Sequence, residues 1–388
     1  MTAEAEFLPF HRADIGDEEV AAVVATLRSG WLTSGPRVRE FEAAFAAYLG
    51  VEHAVAVNSA TAALHLGLEA VGVSEGDEVI VPTMTFAASA EVVTYLRARP
   101  VLIDCDPETL TIRASDIEPA ITARTKAVMP VHYGGFVCDM DPILELARGR
   151  SLHTLEDAAH ALPAAYRGRA VGGIGELTAF SFYATKTLTT GEGGMLTTSN
   201  SQYAERVRLM SLHGISKVAW SRYTAEGSWR YEILEAGYKY NLTDIAAALG
   251  TVQLRRVEEM RDGRRRVGCA YDRGFADLEE IVRPARSPDV DHAWHLYPIR
   301  LRPAMLRIDR DAFIEQLKER GIGTSVHFIP LHLHPYYQSA FGYRSDQFPN
   351  ASRAFSELIS LPLYPTMTPQ EVARVIDAVR DVVVRHRR

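Results

Sequence analysis

The chain has 388 residues, 47% hydrophobic and 23% charged, an ordinary composition for a globular protein long enough to form two or three domains. Its formal charge is −7, from 42 basic and 49 acidic residues, with basic runs only at Arg264–Arg266 and in the Arg385–Arg388 tail, which argues against nucleic acid or an anionic membrane as the main partner. Three scattered cysteines, Cys105, Cys138 and Cys269, suit neither a disulfide framework nor a zinc ribbon; with no signal-like N-terminus and no uninterrupted apolar span, a cytoplasmic protein without a membrane segment is expected.

An amphipathic helix is expected around Asp17–Leu27, followed by the Gly/Pro-punctuated loop Ser29–Pro36 and a helix over Arg39–Leu49 closed by Gly50. A strand at His53–Val57 runs into Asn58-Ser59-Ala60-Thr61 and a helix at Ala62–Ala70. Strand, small polar turn and helix present free N–H groups and a positive dipole end, an anion site suited to phosphate; the same pattern also fits a plain, well-capped βα turn. Short strands recur at Glu78–Val81, Val101–Ile103, Ala127–Val131 and Leu152–Leu155, with a helix at Ala87–Arg97. This alternation indicates an α/β domain with a mostly parallel sheet covered on both faces, where ligands bind beyond the carboxyl ends of strands. Thr61, Phe86, His132, Asp157 and His160 stand at or just past those ends.

Thr178–Tyr183 has the composition of a buried strand. It breaks into hydroxyl residues around Lys186, turns through Gly191–Gly194, and returns as a strand at Met195–Thr198. A lysine placed in such a cleft is desolvated, which lowers its pKa and leaves a neutral amine able to attack carbonyls; taken alone, Lys186 reads first as a loop lysine. A helix at Gln202–Leu212 precedes a polar, aromatic loop, Ile215–Lys239. A long helix then opens at Tyr240–Asp244, capped by Asn241 or Thr243, and reaches about Arg261. Beyond about Ala270 a smaller α+β unit is expected, with strands at Leu296–Leu301 and Gly323–Phe328 and helices at Arg310–Arg320 and Pro369–His386. The expected domains are residues 1–265 and 266–388.

A lysine, a carboxylate, an imidazole, an aromatic ring and a phosphate-type turn together suit pyridoxal 5'-phosphate (PLP). This cofactor needs an amine for its aldehyde, an anion cradle, a ring to stack on and an acid opposite its pyridine nitrogen. His327, His332 and His334 lack acidic or cysteine companions, so no metal site is expected.

SGWLTSGP, NSATAAL, GDEVIVPTMTF, TKAVMPVHYGG, EDAAHA, SFYATKTLTTGEGG, YKYNLTDIAAALG and LPLYP occur in that order along almost the whole chain. In these motifs the sequence resembles the DegT/DnrJ/StrS family of sugar aminotransferases, PLP enzymes of the aspartate-aminotransferase-like fold type I. The resemblance implies a large domain with a mostly parallel sheet, a smaller C-terminal α+β domain, and a homodimer with shared active sites. It makes Lys186 the lysine that carries PLP and shuttles the proton, Asp157 the partner of the pyridinium nitrogen, His160 a neighbour of the ring and Phe86 its stacking face. Ala60, Thr61 and Ser181 would hold the phosphate, and Asn241 would reach it from the neighbouring subunit. The family often has Ser-Gly-Thr where this chain has Ser59-Ala60-Thr61, so the fit of the turn is in question. The implied reaction is amination of a nucleotide-linked keto-sugar, preferably at C4 of a 4-keto-6-deoxyhexose, with L-glutamate as donor and pyridoxamine phosphate in the cycle. His132, His213 and His327 are candidate substrate contacts. The alternatives are a keto-cyclitol acceptor, a dehydratase (whose members replace the lysine by histidine) and a non-catalytic binding protein that retains the fold.

Overall fold

Seven strands build the central sheet of the computed structural model, which describes residues 7–216 and 231–388. They are β1 (His53–Val57), β2 (Glu78–Pro82), β3 (Arg99–Ile103), β4 (Thr125–Val128), β5 (His153–Asp157) and, after the short hairpin β6 (Ala165–Tyr166) and β7 (Arg169–Ala170), β8 (Leu177–Ser181) and β9 (Gly194–Thr198). Their order is β1-β9-β8-β5-β4-β2-β3. The β8-β5-β4-β2-β3 block is parallel, whereas β9 runs antiparallel to both β8 and β1. The sequence rationalises this arrangement: β2 and β9 are buried at every residue, as strands covered on both faces must be. The expected α/β fold with a mostly parallel sheet is thus present.

Helices α1 (Asp17–Ser29), α2 (Pro36–Leu49), α3 (Ala60–Ala70), α4 (Ala88–Tyr95), α5 (Ala114–Ile117) and α6 (Met140–Gly149) precede or interleave with these strands, and α7 (Ser201–Ser211) follows β9. Leu64, Leu66, Val79 and Leu196 belong to one apolar cluster, and Phe41, Phe45, Ile80 and Phe180 to another. Gly50 ends α2 in the left-handed conformation, as expected. Most of the anticipated loop Ile215–Lys239 falls outside the described residues.

The helix expected from Tyr240 to Arg261 is instead two helices, α8 (Asp244–Arg255) and α9 (Val257–Gly274), which runs unbroken past residue 265. The break falls at Arg256, whose guanidinium reaches back to Glu19 and Asp14, each at 2.8 Å. Thr243, not Asn241, caps α8 by accepting the Ala246 N–H. The remaining elements are β10 (Ile281–Val282), β11 (Val290–Asp291), β12 (Tyr297–Leu301), α10 (Arg310–Glu319), α11 (Pro335–Phe341), α12 (Pro349–Glu357), β13 (Leu358–Leu361) and α13 (Pro369–His386). β10, β12 and β13 form a three-stranded sheet. Its apolar face is covered by α9, α10 and α13 through Tyr271, Phe313 and Val379.

No strand forms over residues 323–328. One bridge, Ser325 to Ser360, replaces it, after which the chain leaves the small sheet and carries His327 and Phe328 towards the large one. The N-terminal segment completes the small core: Leu8 is buried there and exchanges backbone hydrogen bonds of 2.8 Å with Gly321 and Gly323. Among the described residues, no helix is long and apolar enough to cross a membrane.

Candidate active site

A cavity of about 580 Å³ opens at the carboxyl ends of the parallel strands. Ala60, Thr61, Phe86, Asp157, His160, Ser181, Lys186 and His327, all named from the sequence, line it. β5 delivers Asp157 as its last residue and β8 delivers Ser181 as its last, so two adjacent parallel strands place the carboxylate and the lysine loop side by side.

The anion cradle follows from local structure. Ser59 is extended, at φ −167°, and its hydroxyl accepts the Ala62 N–H, capping α3. The N–H groups of Ala60 and Thr61, in the first turn, therefore have no intrahelical acceptor and meet the cavity with the positive end of the helix. Ala60 takes ordinary negative-φ backbone, so alanine in place of the family's glycine carries no strain. Gly194 lets β9 pass directly beneath this turn, because a Cβ there would stand 2.4 Å from the Ser59 carbonyl carbon.

Asp157 is buried and held as an acceptor: Ser89 Oγ donates to Oδ2 at 2.7 Å and the Ala159 N–H to Oδ1 at 3.1 Å. Lys186 is half-buried at the cavity wall. Surrounding protein strips water from its ammonium and pulls its pKa down to about 8, against the attraction of Asp157 and with help from Arg264. The imidazoles beside it are uncharged. Burial and the nearby Lys186 hold His160 well below its usual value and bring His327 to about 4. His160 Nδ1 accepts the Gly134 N–H at 3.2 Å, which puts its proton on Nε2, and its ring stacks on Phe328 with 5.7 Å between centroids. Phe86, by contrast, is 62% exposed, a large apolar ring left uncovered inside a cavity.

Of the expected substrate contacts, His132 is corrected and His213 does not reach the cavity of its own chain. His132 is fully buried and does not reach the cavity: Nε2 donates to Glu156 Oε2 at 2.8 Å and Nδ1 accepts the Cys138 N–H at 3.2 Å. His213 lies exposed, outside the cavity, at φ +57° just after α7. Asn241 also lies outside, on a second depression near Ser34 and Arg208, with Nδ2 donating to Ser34 Oγ at 2.7 Å. Sequence reasoning missed His11, Arg264 and His295, which line the cavity. Arg264 carried a legible signal: Val257, Met260, Arg264, Val267 and Tyr271 recur at helical spacing, an arginine set in an apolar stripe.

A half-buried low-pKa lysine, a fixed carboxylate, unpaired helix N–H groups and an uncovered aromatic ring meet the separate requirements of PLP. The comparisons agree. The model of the DegT/DnrJ/EryC1/StrS aminotransferase family matches residues 13–380. The spore coat polysaccharide biosynthesis protein SpsC of Bacillus subtilis is 50% identical, over 97% of both chains. Among solved structures, the putative sugar aminotransferase Spr1654 of Streptococcus pneumoniae in its PMP form superposes with a TM-score of 0.92 at 36% identity, covering 97% of this chain and 99% of that one; it is also solved in a PLP form. Helicobacter pylori PseC, an aminotransferase involved in the biosynthesis of pseudoaminic acid, gives a TM-score of 0.91 at 29% identity, covering 98% and 100%.

Proposed function

Because the chain belongs to the DegT/DnrJ/EryC1/StrS aminotransferase family and is a PLP-dependent sugar aminotransferase, we propose that it aminates a nucleotide-linked keto-sugar, at C4 of a 4-keto-6-deoxyhexose or related sugar, taking the amino group from L-glutamate. The observation that carries this reading is Lys186 facing Asp157 in a cavity of about 580 Å³, far more room than an amino acid needs. The involvement of PseC in pseudoaminic acid biosynthesis supports a sugar acceptor.

When bound, PLP supplies the electron sink that lets a donor's α-proton leave and its amino group pass to a ketone. Lys186 would hold the cofactor aldehyde between turnovers. Once released, its amine would accept the proton that leaves the donor carbon and pass it on within the first half-reaction, and in the second would deliver a proton to the sugar carbon. A pKa of about 8 suits both directions, since the amine gains and loses a proton near neutral pH. Asp157, fixed by Ser89 and Ala159, would keep the ring nitrogen protonated. Phe86 and neutral His160 would border the ring, Ala60, Thr61 and Ser181 would hold the phosphate, and His327 would be left for the substrate.

Asn241 lies outside its own chain's cavity, which supports a homodimer in which it reaches the phosphate of the second copy. A cytoplasmic enzyme fits nucleotide-linked substrates. Lysine at position 186 disfavours the dehydratase reading.

A panel of nucleotide-linked 3-keto and 4-keto sugars and keto-cyclitols, incubated with L-glutamate and followed by product analysis, tests the acceptor. Amination of 4-keto sugars is expected, and a preference for cyclitols would refute the substrate assignment. Lys186→Ala should lose both the colour of lysine-bound PLP and turnover; retained turnover would refute the mechanism.

A further inference from the structure

Arg264 is 1% exposed and sits on the apolar face of α9, yet it borders the cavity. Burial pulls its pKa down to about 10, which still leaves a full positive charge near neutral pH. Its neighbours on the helix, Arg261 and Arg265, pair with Glu258 and Asp262. Among the described residues, no carboxylate pairs with Arg264. Its guanidinium donates only to backbone carbonyls, those of Leu363 at 2.8 Å, His295 at 3.2 Å and Thr185 at 3.4 Å, and its Nε has no acceptor.

A buried cation without a counter-ion is costly to keep, and an orphaned donor adds to that cost. Here the cost falls beside Lys186, whose proton affinity Arg264 helps to lower. The phosphate cradle at α3 has its own donors, so the guanidinium remains as a separate positive site in the same cavity.

We infer that Arg264 binds the carboxylate of the amino donor while Lys186 works on the adjacent carbon. This rests on the transaminase reading above. One cavity must accept an anionic amino acid in one half-reaction and a keto-sugar in the other. A protein carboxylate on Arg264 would have to be displaced on every first half and restored on every second. Three fixed carbonyls hold the planar guanidinium in place without cancelling its charge, so it attracts a carboxylate and needs no rearrangement when the sugar replaces it.

The test compares PLP-loaded wild type with Arg264→Gln and Arg264→Lys, following loss of the lysine-bound cofactor absorbance on mixing with L-glutamate or with 4-aminobutyrate, which lacks the α-carboxylate. Arg264→Gln should slow the L-glutamate reaction by about 100-fold more than it slows the 4-aminobutyrate reaction, the loss expected for a charged hydrogen bond; the change in Lys186 proton affinity that accompanies loss of the guanidinium is common to both donors and cancels in the ratio. Equal loss with both donors would overturn the proposal and make Arg264 a brace for the Thr185 carbonyl. Calorimetric titration with maleate gives a readout apart from activity. Wild type should bind maleate but not its uncharged diamide, and Arg264→Gln should bind neither. Failure of wild type to bind maleate would overturn the proposal even if the variants do not fold. A PLP-loaded wild type that binds maleate through Arg264 yet reacts with no amino donor would instead refute the transaminase reading and keep the carboxylate site.

Discussion

Replacing Lys186 by methionine in the cofactor-free protein removes a charge while keeping a side chain of similar length, and its effect on stability should depend on pH. The folded pKa of Lys186 is about 8, against 10.5 for a free lysine side chain. Below about 8 the amine is protonated in both folded and unfolded chains, so the full penalty for holding the ammonium in the cavity wall is present. As pH rises from about 8 towards the unfolded value, the folded chain binds fewer protons than the unfolded one and wild type gains stability. From about pH 7 to about pH 9.5 the gain of wild type over Lys186→Met integrates to about 2 kcal/mol. Lys186 is only half-buried and borders the cavity, so screening makes that figure an upper end. Urea unfolding of both proteins, cofactor-free and at one fixed concentration across this range, measures the difference. A difference that stays flat with pH would show that the ammonium is not desolvated, and the physical basis for a nucleophilic Lys186 would fall.

Two substitutions probe the scaffold around the site. In Gly194→Ala the new methyl would meet the Ser59 carbonyl carbon at 2.4 Å and push the phosphate turn off β9; PLP affinity, read by fluorescence titration, should fall by at least about tenfold, and unchanged affinity would clear Gly194 of this role. His132→Phe leaves Glu156 buried with only Gly175 N–H and Thr178 Oγ as donors, at 2.7 and 2.9 Å, so stability should drop by about 2 kcal/mol while KM for both substrates stays within about twofold. A large KM change in a variant of normal stability would return His132 to the substrate.

The residues legible in the sequence were those whose role is tied to a strand end. Asp157 and Lys186 follow short apolar runs, and a parallel sheet sends such positions to one edge. His132 follows the same rule and was misassigned. The rule locates a backbone position but not the direction of a side chain, and this one turns inward to Glu156. Position 256 looked helical because a single-residue kink leaves the apolar period nearly intact, and the ion pairs to Asp14 and Glu19 come from far along the chain. The stretch 323–328 is β-prone, but strand formation also needs a neighbouring edge to pair with beyond Ser360. His295 reaches the cavity through the tertiary meeting of two sheets, which no local pattern records.

The N-terminal segment bears on how the protein is made. Leu8 is locked between residues 321 and 323, and the adjoining Phe10 and His11 wall the cavity, His11 donating to the Ala184 carbonyl across 173 residues of sequence. This segment therefore cannot find its place until the distant residues it pairs with, Gly321 and Gly323, have been made. Until then the cavity lacks a wall. A nascent or truncated chain can pair its parallel sheet and still be unable to retain its cofactor, so loading of PLP should report completion of synthesis more sharply than secondary structure does.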